Sequence, residues 1–366
     1  MVAGRYASGR GCRMEFGVCI PNKIDETGIA AYAENLGYSH AWITDTQMIY
    51  SDCWATLALV TQQTRSIKVG PGVAIAPTRL APVTANAIAT INRLAPGRTF
   101  LGIGTGNTSM RLLGQPPMKI DEFAEYLRVV RALLDGKRVD YTYRGCTAPI
   151  ELLMREFDFY ALEPRIPMFV SGFGPQAMAL AGEIGDGLVF SIPRVPTVDD
   201  ALKHVRAGAA RVGRSLEGFQ TCALTPVAVL EPGEALNSDR VVREFGPAIM
   251  ASVHYAYDKW WRTGGDPPAF MRPIWKRYCE LLEDVPAHLR HIRLHDSHYT
   301  FMREDEAPLV TPELVRAVAL VGTPDELIER IRELDRQGLS QLMFLPSLVN
   351  QFRLVETLSR KVIARM

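Results

Sequence analysis

The sequence predicts an α/β protein, a (β/α)8 TIM barrel with a helical insertion between strands seven and eight. Three observations carry that prediction. Short apolar runs closed by glycine, proline or a polar residue alternate with segments whose apolar residues recur every three or four positions, the pattern of βα units on a parallel sheet. Eight such runs can be placed along the 366 residues. Loops rich in glycine follow several of the runs, at the strand ends where barrel enzymes hold their chemistry.

The elements follow in order. EFGVCI at 15–20 is the first strand, and Ile29, Tyr32, Ala33 and Leu36 mark a helix that Gly37 ends. HAWIT at 40–44 is the second strand, with Asp45 at its end, and a helix covers roughly 52–64. The third strand spans 67–75. Val83, Ala87, Ile91 and Leu94 mark its helix, and 99–104 is the fourth strand. A helix carrying Phe123, Leu127, Val130 and Leu134 and a small hairpin near 138–144 precede the fifth strand, PMFV at 167–170. The sixth strand is 187–191 and the seventh lies within 219–230. In the last unit, Thr323-Pro324-Asp325-Glu326 is a capping box with proline at the first helical position, and 342–345 is the eighth strand. The segment at about 231–311 interrupts the seventh unit and is expected to be a mostly helical, lid-like insertion in a single barrel domain covering 14–366.

Composition excludes several classes. A net charge of +1 leaves no electrostatic footprint for nucleic acid or an anionic membrane surface. No apolar run reaches the roughly 18 residues of a membrane span. Residues 1–13 are basic without an apolar core, so they are expected to be a disordered extension and not a secretory signal. The six cysteines are scattered with no C-x-x-C, which argues against a disulfide framework or structural zinc and for a cytoplasmic location.

Chemistry concentrates in four places. TFLGIGTGN at 99–107 has glycine at every second position from Gly102 to Gly106, which clears one row of side chains for a flat group to approach. GPGVAIAPTRLAP at 70–82 ends the third strand in the same style and carries Arg79, a partner for a phosphate or for a carboxylate of the protein. SGFGP at 171–175 opens a helix and suits an anion. His288, His291, His295 and His298 lie in the insertion with Arg290 and Arg293 between them, cations that disfavour a metal site. One of these, His295 or His298, is a candidate acid or base over the barrel mouth. Trp260 and Trp261 either cover a pocket or fill the insertion's own core.

Together WITDTQMIY, the stretch at 70–107 and IPMFVSGFGPQAMALAGEIGDGLVF resemble the luciferase-like flavin-dependent oxidoreductase family, in the branch related to methylenetetrahydromethanopterin reductase. The resemblance implies that the carboxyl face of the barrel holds reduced FMN or the deazaflavin coenzyme F-420. It implies Asp45 beside the ring and the backbone of Gly72, Val73 and Ala74 behind it, with a non-proline cis bond at 72–73 or 73–74. Gly104, Thr105, Gly106 and Asn107 would follow the ring and its ribityl chain, and Ser171, Gly172, Phe173, Gly174 and Pro175 the phosphate. Deazaflavin-dependent dehydrogenases of the family carry histidine and glutamate where this chain has Thr46 and Asn107, and neither replacement acts as an acid or base. The first reading is monooxygenation of a small organic substrate by reduced FMN, supplied by a separate reductase, with Asp45, Asn107 and His298 at the chemistry. The second is hydride transfer from reduced coenzyme F-420. A metal-dependent barrel hydrolase using the histidines is the alternative of another class, and the family implies a homodimer.

Overall fold

The structure, a computed structural model, describes residues 14–192 and 197–366; the expected extension at 1–13 lies outside the described residues. Eight strands form the barrel: β1 Glu15–Ile20, β2 His40–Ile43, β3 Lys68–Pro71, β4 Leu101–Gly104, β5 Met168–Ser171, β6 Gly187–Ser191, β7 Gln220–Thr225 and β8 Gln341–Phe344. β3 resumes after two residues as Ala74–Ile75, and this second piece pairs with β4. Every neighbouring pair is parallel and β8 pairs back onto β1, so the ring closes. The expected seventh run is divided at Pro226, which has no N–H to donate. Beyond it, Val227–Val229 leaves the barrel and pairs in parallel with Leu320–Gly322.

The barrel interior is filled from its amino end by Trp42, Phe100 and Phe169, whose ring centroids are 4.3, 5.5 and 5.6 Å apart. Trp42 is fully buried, and its Nε1 donates to Gln341 Oε1 at 2.9 Å. Gln341 Nε2 donates in turn to His40 Nδ1 at 2.7 Å. Burial pushes that imidazole down to about 3, so it stays a neutral acceptor. Three glycines make room for the indole. A Cβ on Gly17, Gly72 or Gly102 would lie 2.9, 2.6 or 2.7 Å from a Trp42 atom. Gly102, the first of the alternating glycines, therefore faces the protein's own tryptophan.

The insertion is helical, as expected. Its main element is Asp239–Thr263, capped by Ser238 accepting from Val241 N, followed by Arg272–Glu280 and shorter turns. Trp260 packs against Trp275 at 5.4 Å and Tyr257 at 5.5 Å, so these tryptophans build the insertion's own core. Trp261 is half exposed under the Arg290 guanidinium. Among the described residues no helix is long and apolar enough to cross a membrane.

The capping box read from sequence is present. Thr323 Oγ1 accepts from Glu326 N, and Glu326 Oε2 accepts from Thr323 N at 2.7 Å. The helix it starts, Pro324–Arg336, buries Leu327, Ile331 and Leu334. Thr323→Ala is expected to lower unfolding free energy by about 1 kcal/mol, because the Glu326 half of the box survives; urea denaturation measures it.

Candidate functional site

A cavity of about 670 Å³ opens at the carboxyl ends of the strands, above the aromatic filling. Apolar residues Val73, Val189, Leu224, Met343 and Leu345 line its depth, and polar groups gather at its rim. Of the residues singled out in the sequence, all but one of the site set line this single space. The exception is Ala74. Its side chain is turned outward into the core between sheet and helices, because alternate residues of a strand face opposite sides.

Asp45 sits at the end of β2 and is 4% exposed. Its Oδ2 accepts from Arg79 Nη1 at 2.7 Å and from Ile75 N at 3.1 Å, and Oδ1 accepts from Gln47 Nε2 at 3.1 Å. Burial pushes the carboxyl up from its usual range, while Arg79 and the Ile75 N–H pull against that. Asp45 thus clamps the second piece of β3. Arg79 also reaches Asp52 at 3.4 Å, so its guanidinium is held by carboxylates of the protein. Between the two pieces of β3, the Gly72–Val73 peptide is cis, one of the two bonds named from the resemblance.

The β4 loop contributes a second wall. Gly104 lines the cavity, and a Cβ there would meet Val73 Cγ2 at 3.1 Å and Ser171 Cβ at 3.2 Å. Gly106 has φ +82°, and a Cβ would lie 2.6 Å from Ile75 Cγ2, so glycine is required there on both counts. Asn107 begins the short helix Asn107–Leu112. Its Oδ1 accepts from Arg111 Nε at 2.7 Å, which leaves the amide NH2 as the group it offers to a ligand. Arg111 pairs with Asp258 of the insertion at 2.8 Å, and Arg262 Nε donates to the same carboxylate at 2.8 Å. The insertion therefore orients Asn107.

The third wall is the β5 loop. Gly172 lies so close to the following helix that a Cβ would sit 2.6 Å from Ala177 Cβ. Gly174 is the N-cap of Pro175–Ile184, whose first turn holds no acidic residue. First-turn N–H groups have no acceptor inside a helix, so this end of the cavity suits an anion.

The insertion covers the mouth with residues that the sequence reading did not name. Ser252 and Tyr255 come from one face of Asp239–Thr263, and Tyr299 follows His298. Tyr50 donates to the His298 carbonyl at 2.8 Å, tying the β2 loop to the insertion. The only available signal was the spacing of three between Ser252 and Tyr255, which says nothing about which helix face meets the barrel. The four histidines do not assemble: His288 is exposed, His291 half-buried, and His295 and His298 buried. Among the described residues no group of three or more His, Cys, Asp or Glu is arranged to hold a metal.

Comparison with known proteins agrees with this architecture. A family model described as luciferase-like monooxygenase matches residues 14–341. The chain is 31% identical over 324 residues to the 5,10-methylenetetrahydromethanopterin reductase of Archaeoglobus fulgidus, covering 85% of this chain and 86% of that protein. It is 34% identical over 201 residues to the F420-dependent hydroxymycolic acid dehydrogenase of Mycobacterium tuberculosis, covering 50% of this chain and 53% of the other. The structure of a coenzyme F420-dependent tetrahydromethanopterin reductase from Methanopyrus kandleri superposes with a TM-score of 0.71 at 20% identity, over 96% of this chain and 99% of that one. A closed parallel barrel with its cavity at the strand carboxyl ends, matched from residue 14 to residue 341, makes this oxidoreductase a member of the luciferase-like monooxygenase family.

Proposed function

We infer that this protein transfers a hydride from reduced coenzyme F-420 to a small organic substrate. The observation that carries the reading is similarity over 85% of this chain to a 5,10-methylenetetrahydromethanopterin reductase, supported by the dehydrogenase relative whose name specifies F420 dependence. Monooxygenation with reduced FMN, the first reading from sequence, becomes the second. It rests on the family's description, and it is the reading that needs a separate reductase.

The residues present fit a tricyclic ring with an anionic tail. The volume is within the ordinary range for a cofactor site, and the wall at Gly104 bears no side chain. The helix start at Gly174–Pro175 would receive the phosphate. Bound there, reduced coenzyme F-420 supplies the hydride. Asp45 would hold the second piece of β3 against the ring, and the Asn107 amide would donate to a carbonyl of ring or substrate. Tyr255 and His298 would close the mouth against water, and His298 is the candidate acid.

Titration of the purified protein with oxidised coenzyme F-420 and with FMN, followed by fluorescence, tests the order. Coenzyme F-420 is expected to bind at least about tenfold more tightly, a difference of about 1.4 kcal/mol. Tighter binding of FMN returns monooxygenation to first place.

A further inference from the structure

The cavity has two unlike sides. One is the wall at Val73 and Gly104, built by β3 and β4, where the cofactor ring is inferred to lie. In an eight-stranded ring β7 and β8 stand four places from β3 and β4, so they form the side across from that wall. There Leu224, Met343 and Leu345 line the cavity, side chains without charge and without an N–H or O–H to donate. A substrate that meets the open face of the ring has this apolar wall on its other side.

The insertion adds one side chain to this apolar interior. Tyr299 lines the cavity and packs against the interior cluster that includes Met343 and Leu345, and it is the one insertion residue to do so among the described residues. Its backbone takes φ +56°, a left-handed conformation rare for a bulky residue. Of the five non-glycine residues with positive φ among the described residues, Tyr299 is the one that lines the cavity. Such a conformation persists where the surroundings enforce it, and functional sites are where it collects. Here the enforcement is visible. Thr300 N and Thr300 Oγ1 each donate to the Ser297 carbonyl at 2.8 Å, closing the turn around Tyr299. Tyr50 holds the His298 carbonyl at 2.8 Å, and the His298 imidazole stands edge-on to the Tyr299 ring with centroids 4.7 Å apart.

Charge narrows what can lie there. Among the described residues no lysine or arginine lines the cavity. The guanidinium groups bonded to Asp45 and Asn107 are already held by carboxylates, Arg79 by Asp45 and Asp52 and Arg111 by Asp258. The helix start at Gly174–Pro175 is taken by the cofactor phosphate in the reading above. An ionised group moved from water to an apolar wall without a partner loses its hydration and gains nothing in return. We propose that Tyr299 is the specificity-determining residue of the cavity, limiting the length of an uncharged substrate whose apolar body lies between the cofactor ring and the wall at Leu224, Met343 and Leu345. This rests on the hydride-transfer reading.

The test is calorimetric titration of protein loaded with oxidised coenzyme F-420, using straight-chain methyl ketones from butanone to decan-2-one. The same ketones carrying a terminal carboxylate, at neutral pH, form the second arm. In the unaltered protein affinity is expected to rise about threefold per added methylene and then to level off. In Tyr299→Ala the levelling-off is expected at least about two carbons later, because an apolar space opened in the interior accepts apolar ligand. Tyr299→Phe, which keeps the ring, is expected to keep the original limit. Each carboxylated ketone is expected to bind at least about tenfold more weakly than the neutral ketone of the same length. Should Tyr299→Ala not fold, Tyr299→Gly removes the same ring and suits the left-handed backbone. If the unaltered protein binds coenzyme F-420 and the ketone series ends at the same length with and without the ring, the role of Tyr299 is overturned and the cofactor reading stands. Carboxylated ketones that bind as tightly as the neutral ones, or no binding by any ketone, overturn the substrate class in the same way. If the unaltered protein fails to bind coenzyme F-420, the hydride-transfer reading falls, and this inference falls with it.

Discussion

Gly104→Leu is expected to weaken binding of oxidised coenzyme F-420 by at least about a hundredfold, about 2.7 kcal/mol, in a protein that still folds. A Cβ at this position meets Val73 Cγ2 at 3.1 Å and Ser171 Cβ at 3.2 Å, contacts that a side-chain shift of a few tenths of an ångström relieves. The rest of a leucine has only the cavity to occupy. Gly104→Ala should therefore be much milder, about tenfold or less. Gly102→Ala makes the contrast. Its Cβ would lie 2.4 Å from the Pro71 carbonyl oxygen and 2.7 Å from Trp42, neither of which has room to move. That substitution is expected to lower stability by about 1–3 kcal/mol or more, through overpacking. Thermal melts and fluorescence titrations on the three variants separate the two glycines. Leucine at 104 with undiminished binding would mean that the ring lies elsewhere.

The same pair shows how far the sequence could be read. Alternating glycines at 102, 104 and 106 announced a row without side chains, and the row is there. What it faces was not legible, because Trp42 is sixty residues away in the chain and its burial depends on closure of the barrel. Local signals did better. The capping box at Thr323 and the helix ending at Gly37 are properties of a few adjacent residues, and both appear where expected. Pro226 carried its own warning, since a residue without an N–H interrupts a strand, yet the partner change it causes is a long-range event. The insertion was recognised because it interrupts the seventh unit, but which of its faces meets the barrel is decided by docking. Ser252, Tyr255 and Tyr299 therefore entered the site only with the structure. Ala74 differs from the rest of the set for a simpler reason: the expectation there concerned its backbone, and the side chains of a strand alternate, so its methyl group faces the core.

Asp45→Ala is expected to lower unfolding free energy by about 3 kcal/mol, the lower end for breaking a buried ion pair. The lower end applies because Arg79 keeps a second partner in Asp52 at 3.4 Å and is partly exposed, with 18% of its side chain open to solvent. Part of the loss comes from the Ile75 N–H, which would be left without its acceptor in a residue 8% exposed. Asp45→Asn keeps an oxygen for that N–H and removes only the charge, so it should cost about half as much. Urea denaturation with an unchanged m-value gives both numbers. Binding should follow the same order, because the Ile75 bond holds the stretch after the Gly72–Val73 peptide against the cavity. Coenzyme F-420 affinity falls further in Asp45→Ala than in Asp45→Asn if that bond shapes the site. Equal affinity in the two variants would assign Asp45 to the charge pair alone, and wild-type stability in Asp45→Ala would show that the pair contributes nothing to the fold.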